Sequence, residues 1–297
     1  MMKNFDLPPE YSLLDSGNCR KLEQVGRYRI IRPALNAFWQ PSLPEAEWNK
    51  ADAEFKRESG GGGGIWNWKK QQPAEWAVTW GGIPLLIKPT HFGHLGFFAE
   101  QAVNWEWLRS CIRKIGGHPK ALNLFAYSGG ATIAMAQAGA EVVHLDSSAG
   151  IIQWAKKNQS FEPSLKDRIR WICDDALKFV AREERRSAFY SGIVLDPPSF
   201  GRGSRGQVWK IETSISGILR SCRKILDMEH SCFLVLSCHS QGFSPVSLGR
   251  ILAAEFPEAE SCIEFGEMTV PETGLDGKAK SVKSLPAGMF ARFFLKK

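Results

Sequence analysis

The stretch "LNLFAYSGGATIAMAQAGAEVVHLD", Leu122 to Asp146, decides the fold. It reads as a strand, a glycine loop, a short helix closed by Gly139, and a second strand. Ser128, Gly129 and Gly130 open the helix, and glycines there let a ligand approach the backbone closely. Asp146 ends the second strand, 17 residues after Gly129. A carboxylate at that place can hold two ribose hydroxyls.

The alternation continues on both sides. "FFAEQAVNWEWLRSCIRKI" precedes it as a helix. "SAGIIQWAKKNQ", "LKFVAREERR", "QVWKIETSISGILRSCRKILD" and "SPVSLGRILAAEF" follow as helices, separated by the strands "IRWICDDA", "SGIVLDPP" and "SCFLVLSCHS". Such alternation implies a parallel sheet covered on both faces. The last two apolar segments, "AESCIEFGE" and "AGMFARFFLKK", have no helix between them. Parallel neighbours need a crossover, so these two are expected as an antiparallel hairpin at the sheet edge. The fold class is therefore α/β, a Rossmann-like sheet with an antiparallel edge hairpin, expected over residues 96–297.

Residues 1–95 read as a small β-rich α+β domain, suited to substrate recognition. "YSLLDSG" and "KLEQVGRYRIIRP" are expected as two strands, "LPEAEWNKADAEFKRE" as a helix, and "AEWAVTW" with "IPLLIKP" as a hairpin across Gly81-Gly82. Eight of the eleven tryptophans lie at or before residue 107. Aromatics of this kind can stack on unpaired bases, or simply fill one face of a hairpin.

Charge and cysteines narrow the class. The chain has 297 residues with a formal charge of +7, which favours a polyanionic partner. Its seven cysteines include no Cys-x-x-Cys pair. Reduced thiols in a cytoplasmic protein are expected, without a disulfide frame or metal site. No apolar run approaches the length of a membrane span, and the start lacks the apolar core of a signal peptide.

Three features set the cofactor apart from a nicotinamide. The loop is Ser-Gly-Gly, not Gly-x-Gly-x-x-Gly. The third strand ends in Asp174-Asp175, where one carboxylate can accept from an adenine amino group and the other can cap the next helix. The fourth ends in "DPPSF", Asp196 to Phe200. Pro197 and Pro198 supply no backbone N–H and fix a rigid corner. Together with the edge hairpin these point to a class I sheet binding S-adenosyl-L-methionine. Asp196 and the prolines would hold a flat acceptor, with Phe200 stacked on it.

The sequence resembles the 23S rRNA cytosine-C5 methyltransferases of the RlmI type over most of its length. "HLGFFAEQAVNWEWL" is similar to that family's Gly-aromatic-aromatic-x-acid-Gln segment, which implies that Glu100 and Gln101 lie near the cofactor. The loop match implies contacts from Ala126, Tyr127, Ser128, Gly129, Gly130, Asp146 and Ser147, with Asp174 and Asp175 at the adenine and Asp196 shared with the acceptor. "FLVLSCHS" falls where the family carries its nucleophile, which implies Cys238. A thiolate added at carbon 6 of cytosine makes carbon 5 nucleophilic. Neighbours on a strand point to opposite faces, so His239 is not expected to serve Cys238 as a base. Ser199 and Ala102 stand where the family has lysine and arginine. The resemblance implies large-subunit rRNA as partner. Arg202, Arg205 and Lys210, in the loop after the motif, suit its phosphates. Three other outcomes are open: methylation of a base nitrogen, which needs no thiol, a small-molecule acceptor, or an RNA-binding relative without activity.

Overall fold

The protein is described by a computed structural model over residues 10–58, 63–202, 208–277 and 283–297. The chain forms two compact units. The first runs through Glu100 and takes back Thr269–Ala287; the second holds Gln101–Met268 and Gly288–Lys297. The return of residues 269–287 to the first unit was not expected from the sequence.

In the first unit, β1 (Tyr11–Gly17), β2 (Arg20–Val25), β3 (Tyr28–Pro33), β4 (Ala53–Arg57) and β5 (Gly64–Trp68) form one sheet in that order. The segment expected as one strand over 21–33 is two strands, because Gly26 at φ 61 allows a two-residue turn that pairs Val25 with Tyr28. The helix expected over 43–58 is only α1 (Glu45–Trp48), four residues long. Past it, Ala53 and Phe55 are buried while Glu54 is not, a period of two that makes this segment β4. The Gly81-Gly82 hairpin forms as expected, pairing β6 (Trp76–Trp80) with β7 (Ile83–Ile87).

The tryptophans here are anchored. Trp66, Trp76 and Trp80 donate through Nε1 to the carbonyls of Thr90, Val25 and Ala99 at 2.8, 2.9 and 2.8 Å. The Trp68 and Trp76 rings meet edge to face at 6.2 Å, and Tyr28 packs on both. All four indoles are half-buried, tied by these bonds and ring contacts.

The second unit begins with α2 (Ala102–Ile115), followed by β8 (Lys120–Leu124), α3 (Gly130–Gln137), β9 (Glu141–Asp146), α4 (Ala149–Gln159), β10 (Ile169–Cys173), α5 (Ala176–Arg185) and β11 (Gly192–Leu195). A short antiparallel pair comes next, β12 (Phe200–Arg202) with β13 (Val208–Lys210). The residues of β13 were expected in the following helix, which instead starts at Ile211 as α6 (Ile211–Arg223). Then come β14 (Cys232–Cys238), α7 (Pro245–Glu255), β15 (Ile263–Pro271) and β16 (Ser284–Leu295).

The large sheet has the order β10-β9-β8-β11-β14-β16-β15. The first five strands are parallel, and β16 runs antiparallel to β14. The chain moves outward from β8 in one direction, then returns to start again at β11. That reversal leaves a crevice at the carboxyl ends of the central strands, the place where such sheets bind ligands. On one side, Leu234, Leu236 and Cys238 of β14 pack into the main core with Ile215, Ile218 and Leu219 of α6 and Leu248 and Leu252 of α7.

Candidate active site

The crevice opens between the ends of β8, β9, β10 and β11. It encloses about 680 Å³ of empty space, part of it open to solvent. Phe125, Leu145, Ala176, Leu177, Pro198, Val208 and Trp209 supply apolar walls, and Asp146, Asp174 and Asp175 supply carboxylates. No lysine or arginine stands among the described lining residues.

The loop after β8 is bent hard. Phe125 and Tyr127 have φ of 56 and 49, and Gly129 has φ of 92. Positive φ in bulky residues costs free energy and is concentrated at functional sites. Asp146 organises this loop. Its carboxylate accepts from the N–H of Tyr127 at 3.1 Å and of Ser148 at 2.9 Å. Burial raises its pKa, partly opposed by those backbone donors. A Cβ at Gly130 would sit 2.4 Å from the Trp105 ring, and one at Gly129 would sit 3.3 Å from Ala155 Cβ. Ala126 and Ser128 are buried; Asn158 Nδ2 donates to the Ser128 carbonyl at 2.8 Å.

The two aspartates after β10 divide their work. Asp175 caps α5, accepting from the Lys178 N–H at 3.0 Å. Asp174 accepts the Asp175 N–H at 2.8 Å and pairs with Arg182 at 2.8 Å. Burial raises the Asp174 pKa, but Arg182, the Asp175 N–H and Lys178 together outweigh it, so the carboxyl stays below its usual value. The expectation of one cap and one pocket carboxylate thus has its cap in Asp175, although both line the crevice.

Beyond the crevice, Asp196 is the centre of a polar network. Gln101 Nε2 donates to its Oδ2 at 3.0 Å and to Ser237 Oγ at 3.0 Å. Ser237 Oγ donates to Asp196 Oδ1 at 2.7 Å, and His239 Nδ1 lies 3.5 Å from that oxygen. Asn104 Nδ2 donates to Gln101 Oε1 at 2.9 Å, which fixes which end of the amide faces Asp196. Burial pushes the Asp196 pKa up, and His239, Ser237 and Gln101 overcome it, so the carboxyl is held below its ordinary value. Glu100, expected beside Gln101 at the cofactor, is buried as the last residue of the first unit.

Cys238, the nucleophile implied by the resemblance, is the last residue of β14. Its thiol is fully buried among the core side chains of α6 and α7, on the face of β14 opposite Ser237 and His239. The Ser240 N–H donates to its sulfur at 3.4 Å. β14 presents Ser237 to Asp196, and His239 follows directly after the strand. Neither Ser237 nor His239 was expected at the site; a count of two along the strand places both on the side opposite Cys238. Trp209 was also missed, because it was read as part of a helix.

Pro197 is buried, Pro198 lines the crevice, and Phe200 is exposed on β12. Lys210 is exposed at the end of β13, just before α6. The backbone of Arg202 is in β12, and Arg205 lies outside the described residues. No group of three or more metal-ligating side chains exists among the described residues, and none of their helices is long and apolar enough to cross a membrane.

An apolar slot with a carboxylate rim fits an adenosine, whose hydroxyls and amino group can donate to those carboxylates. Known proteins agree. A family profile described as S-adenosylmethionine-dependent methyltransferase matches residues 64–238. A SAM-dependent methyltransferase from Agrobacterium tumefaciens has 38% identity, with 99% of this chain and 97% of that chain covered, at a TM-score of 0.89. A Streptococcus mutans methyltransferase shares the fold at a TM-score of 0.71 with 12% identity, covering 98% of this chain and 76% of that one. The ribosomal RNA large subunit methyltransferase K/L of Syntrophotalea carbinolica is 39% identical over 124 residues, which are 41% of this chain and 16% of that protein. Its Vibrio cholerae counterpart is 24% identical over 161 residues, 54% of this chain and 22% of that protein. The chain thus spans about a fifth of these curated relatives. It belongs to the S-adenosylmethionine-dependent methyltransferase family.

Proposed function

We propose that the protein methylates large-subunit ribosomal RNA at a nitrogen of a base. The observation that carries the choice of atom is the Asp196 network. Three side chains hold the carboxylate, and its pKa is kept low. An ionised carboxylate in a rigid corner is an acceptor for an N–H of the base. The polyanionic acceptor is supported by the +7 charge and by the relatives named for ribosomal RNA.

In this reading Tyr127, Ser128, Gly129 and Gly130 carry the methionine end of the cofactor, and Asp146 takes the ribose hydroxyls. Asp174 stands at the adenine edge. When bound, S-adenosylmethionine supplies an electrophilic methyl on a sulfonium. Asp196 and Pro197 orient the acceptor nitrogen, so that its lone pair faces that methyl. As the N–C bond formed, the sulfonium's C–S bond would break and leave a neutral thioether; Asp196 would accept the hydrogen bond of the N–H, and the released proton would pass through it to water. Ser237 and Gln101 keep the carboxylate in place. Phe200, exposed beside the corner, can stack on the base, and the exposed Lys210 can meet phosphate.

The rival reading is attack by Cys238 at a cytosine, giving methylation at carbon 5. Full burial of that thiol weighs against it. The test is transfer of labelled methyl from S-adenosylmethionine into unmodified 23S RNA and into whole subunits, followed by digestion to nucleosides. Label in a base carrying an N-methyl group is expected. Label in 5-methylcytosine would restore Cys238, and label in neither substrate would sink the RNA reading and send the search to small acceptors.

A further inference from the structure

Trp209 joins the Asp-Pro-Pro corner to the cofactor crevice. Trp209 lies on β13, opposite Gly201 of β12. Its indole Nε1 donates to the Pro198 carbonyl at 2.7 Å. Its ring packs on Phe125 at 5.2 Å between centroids, tilted by 50°. Trp209, Phe125 and Pro198 all line the crevice.

Each contact has a distinct physical cause. Phe125 reaches the crevice from a left-handed backbone, at φ 56, so its ring position is held by the loop and not by chance. The carbonyl of Pro198 belongs to a segment in which two consecutive residues lack an N–H. Such a corner cannot brace itself through its own backbone donors and needs one from elsewhere. The neighbouring Ser199 carbonyl accepts from the Ile211 N–H at 3.1 Å, so β13 and the start of α6 together hold this turn. Ser240 Oγ donates to Ser199 Oγ at 2.6 Å as well, but of these partners the indole is the one that lines the crevice.

We propose that Trp209 is a bifunctional positioning residue: its ring is a wall of the adenosine pocket, and its N–H fixes the corner that presents the acceptor. Any ligand that settles against the ring also settles the corner. Cofactor binding and acceptor placement are then coupled through one rigid aromatic, and the coupling must act in both directions. The second half of this inference rests on the reading of Asp196 as the acceptor site. The first half depends only on where the cofactor binds.

Two variants separate the halves. Trp209→Phe keeps a flat ring and removes the N–H. Trp209→Ala removes both. S-adenosylhomocysteine binding is measured by calorimetry without RNA, and turnover on the RNA that the wild type methylates. Trp209→Phe should bind within about threefold of wild type yet turn over about tenfold more slowly, with the change in kcat rather than KM. Trp209→Ala should lose about tenfold in S-adenosylhomocysteine affinity as well. Wild-type affinity in Trp209→Ala overturns the pocket role, and wild-type turnover in Trp209→Phe overturns the tether. If Trp209→Ala fails to fold, Trp209→Leu takes its place with the same expectation. If the wild type methylates no RNA, the acceptor reading falls, while the calorimetric comparison still decides the pocket role.

Discussion

Ser237 Oγ and Asp196 Oδ1 are 2.7 Å apart, joined across the paired ends of β11 and β14. The same hydroxyl accepts from Gln101 Nε2 at 3.0 Å, so one serine ties a carboxylate, an amide and two strands together. A hydrogen bond to a charged group contributes about 1.5–3 kcal/mol. Ser237→Ala should therefore slow methyl transfer by about tenfold or more, while S-adenosylhomocysteine affinity stays within about twofold. Steady-state kinetics beside calorimetry check this. A fall in affinity as large as the fall in turnover would place Ser237 in the cofactor site instead.

Cys238 gives the opposite expectation. Cys238→Ala removes one buried sulfur from the α6–α7 core and should cost on the order of 1 kcal/mol in urea unfolding. Turnover should stay within about threefold of wild type. A variant that folds and binds cofactor normally but has lost all transfer would make the thiol the nucleophile after all.

Gly130→Ala should fail for steric reasons. The new methyl would lie 2.4 Å from Trp105 Cζ2, between α2 and α3, in a place that only a shift of the helix can open. Overpacking of this kind costs about 1–3 kcal/mol. Thermal unfolding should show a lower midpoint, and S-adenosylhomocysteine binding should weaken because the loop moves with the helix. Unchanged values in both measurements would mean that the loop has more room than its contacts suggest.

His144 sets a pH dependence. It is fully buried, with Nδ1 2.9 Å from Thr132 Oγ1, and burial lowers its pKa from 6.5 to about 3. The folded protein thus keeps the imidazole neutral where the unfolded chain would bind a proton. Its contribution is fully present above about pH 6.5 and is lost as the pH falls toward 3. The slope approaches about 1.4 kcal/mol per pH unit in that window. Urea unfolding at pH 7 and pH 4 should show the wild type losing on the order of 3 kcal/mol more than His144→Leu. Parallel losses in the two proteins would refute the assignment.

The α/β half was legible because short, largely apolar strands alternate with helices that have their own period, and β9, β10 and β11 end at or beside an aspartate. The first unit was harder. In "ADAEFKRE" the charges suit a helix, and only burial of Ala53 and Phe55 shows the strand. Within the site, Asp146, Gln101 and Asp196 were readable from strand ends and motif spacing. Trp209 was not, since β12 and β13 are three residues each and exist through pairing with one another. The facing of Cys238 was readable in principle: period two assigns it to the side of Leu234 and Leu236, but that count was applied only to His239.

The first unit closes with residues made long after its own strands. Leu13 bridges to Glu272, its carbonyl accepts from the Thr273 N–H at 2.8 Å, Ser16 Oγ donates to Glu272, and Lys283 Nζ reaches Ser42 Oγ at 2.7 Å. These partners stand some 240 to 260 positions apart in the chain. A nascent polypeptide that has emerged as far as residue 260 already contains the whole five-stranded sheet and the cofactor loop, yet lacks the strap that completes the sheet's surroundings. Synthesis therefore leaves the N-terminal half waiting for the C-terminal one, and the usual order in which early segments finish first is reversed. Ribosome-bound chains stopped before and after residue 290 should differ in protease resistance at β1, far from the residues added between them.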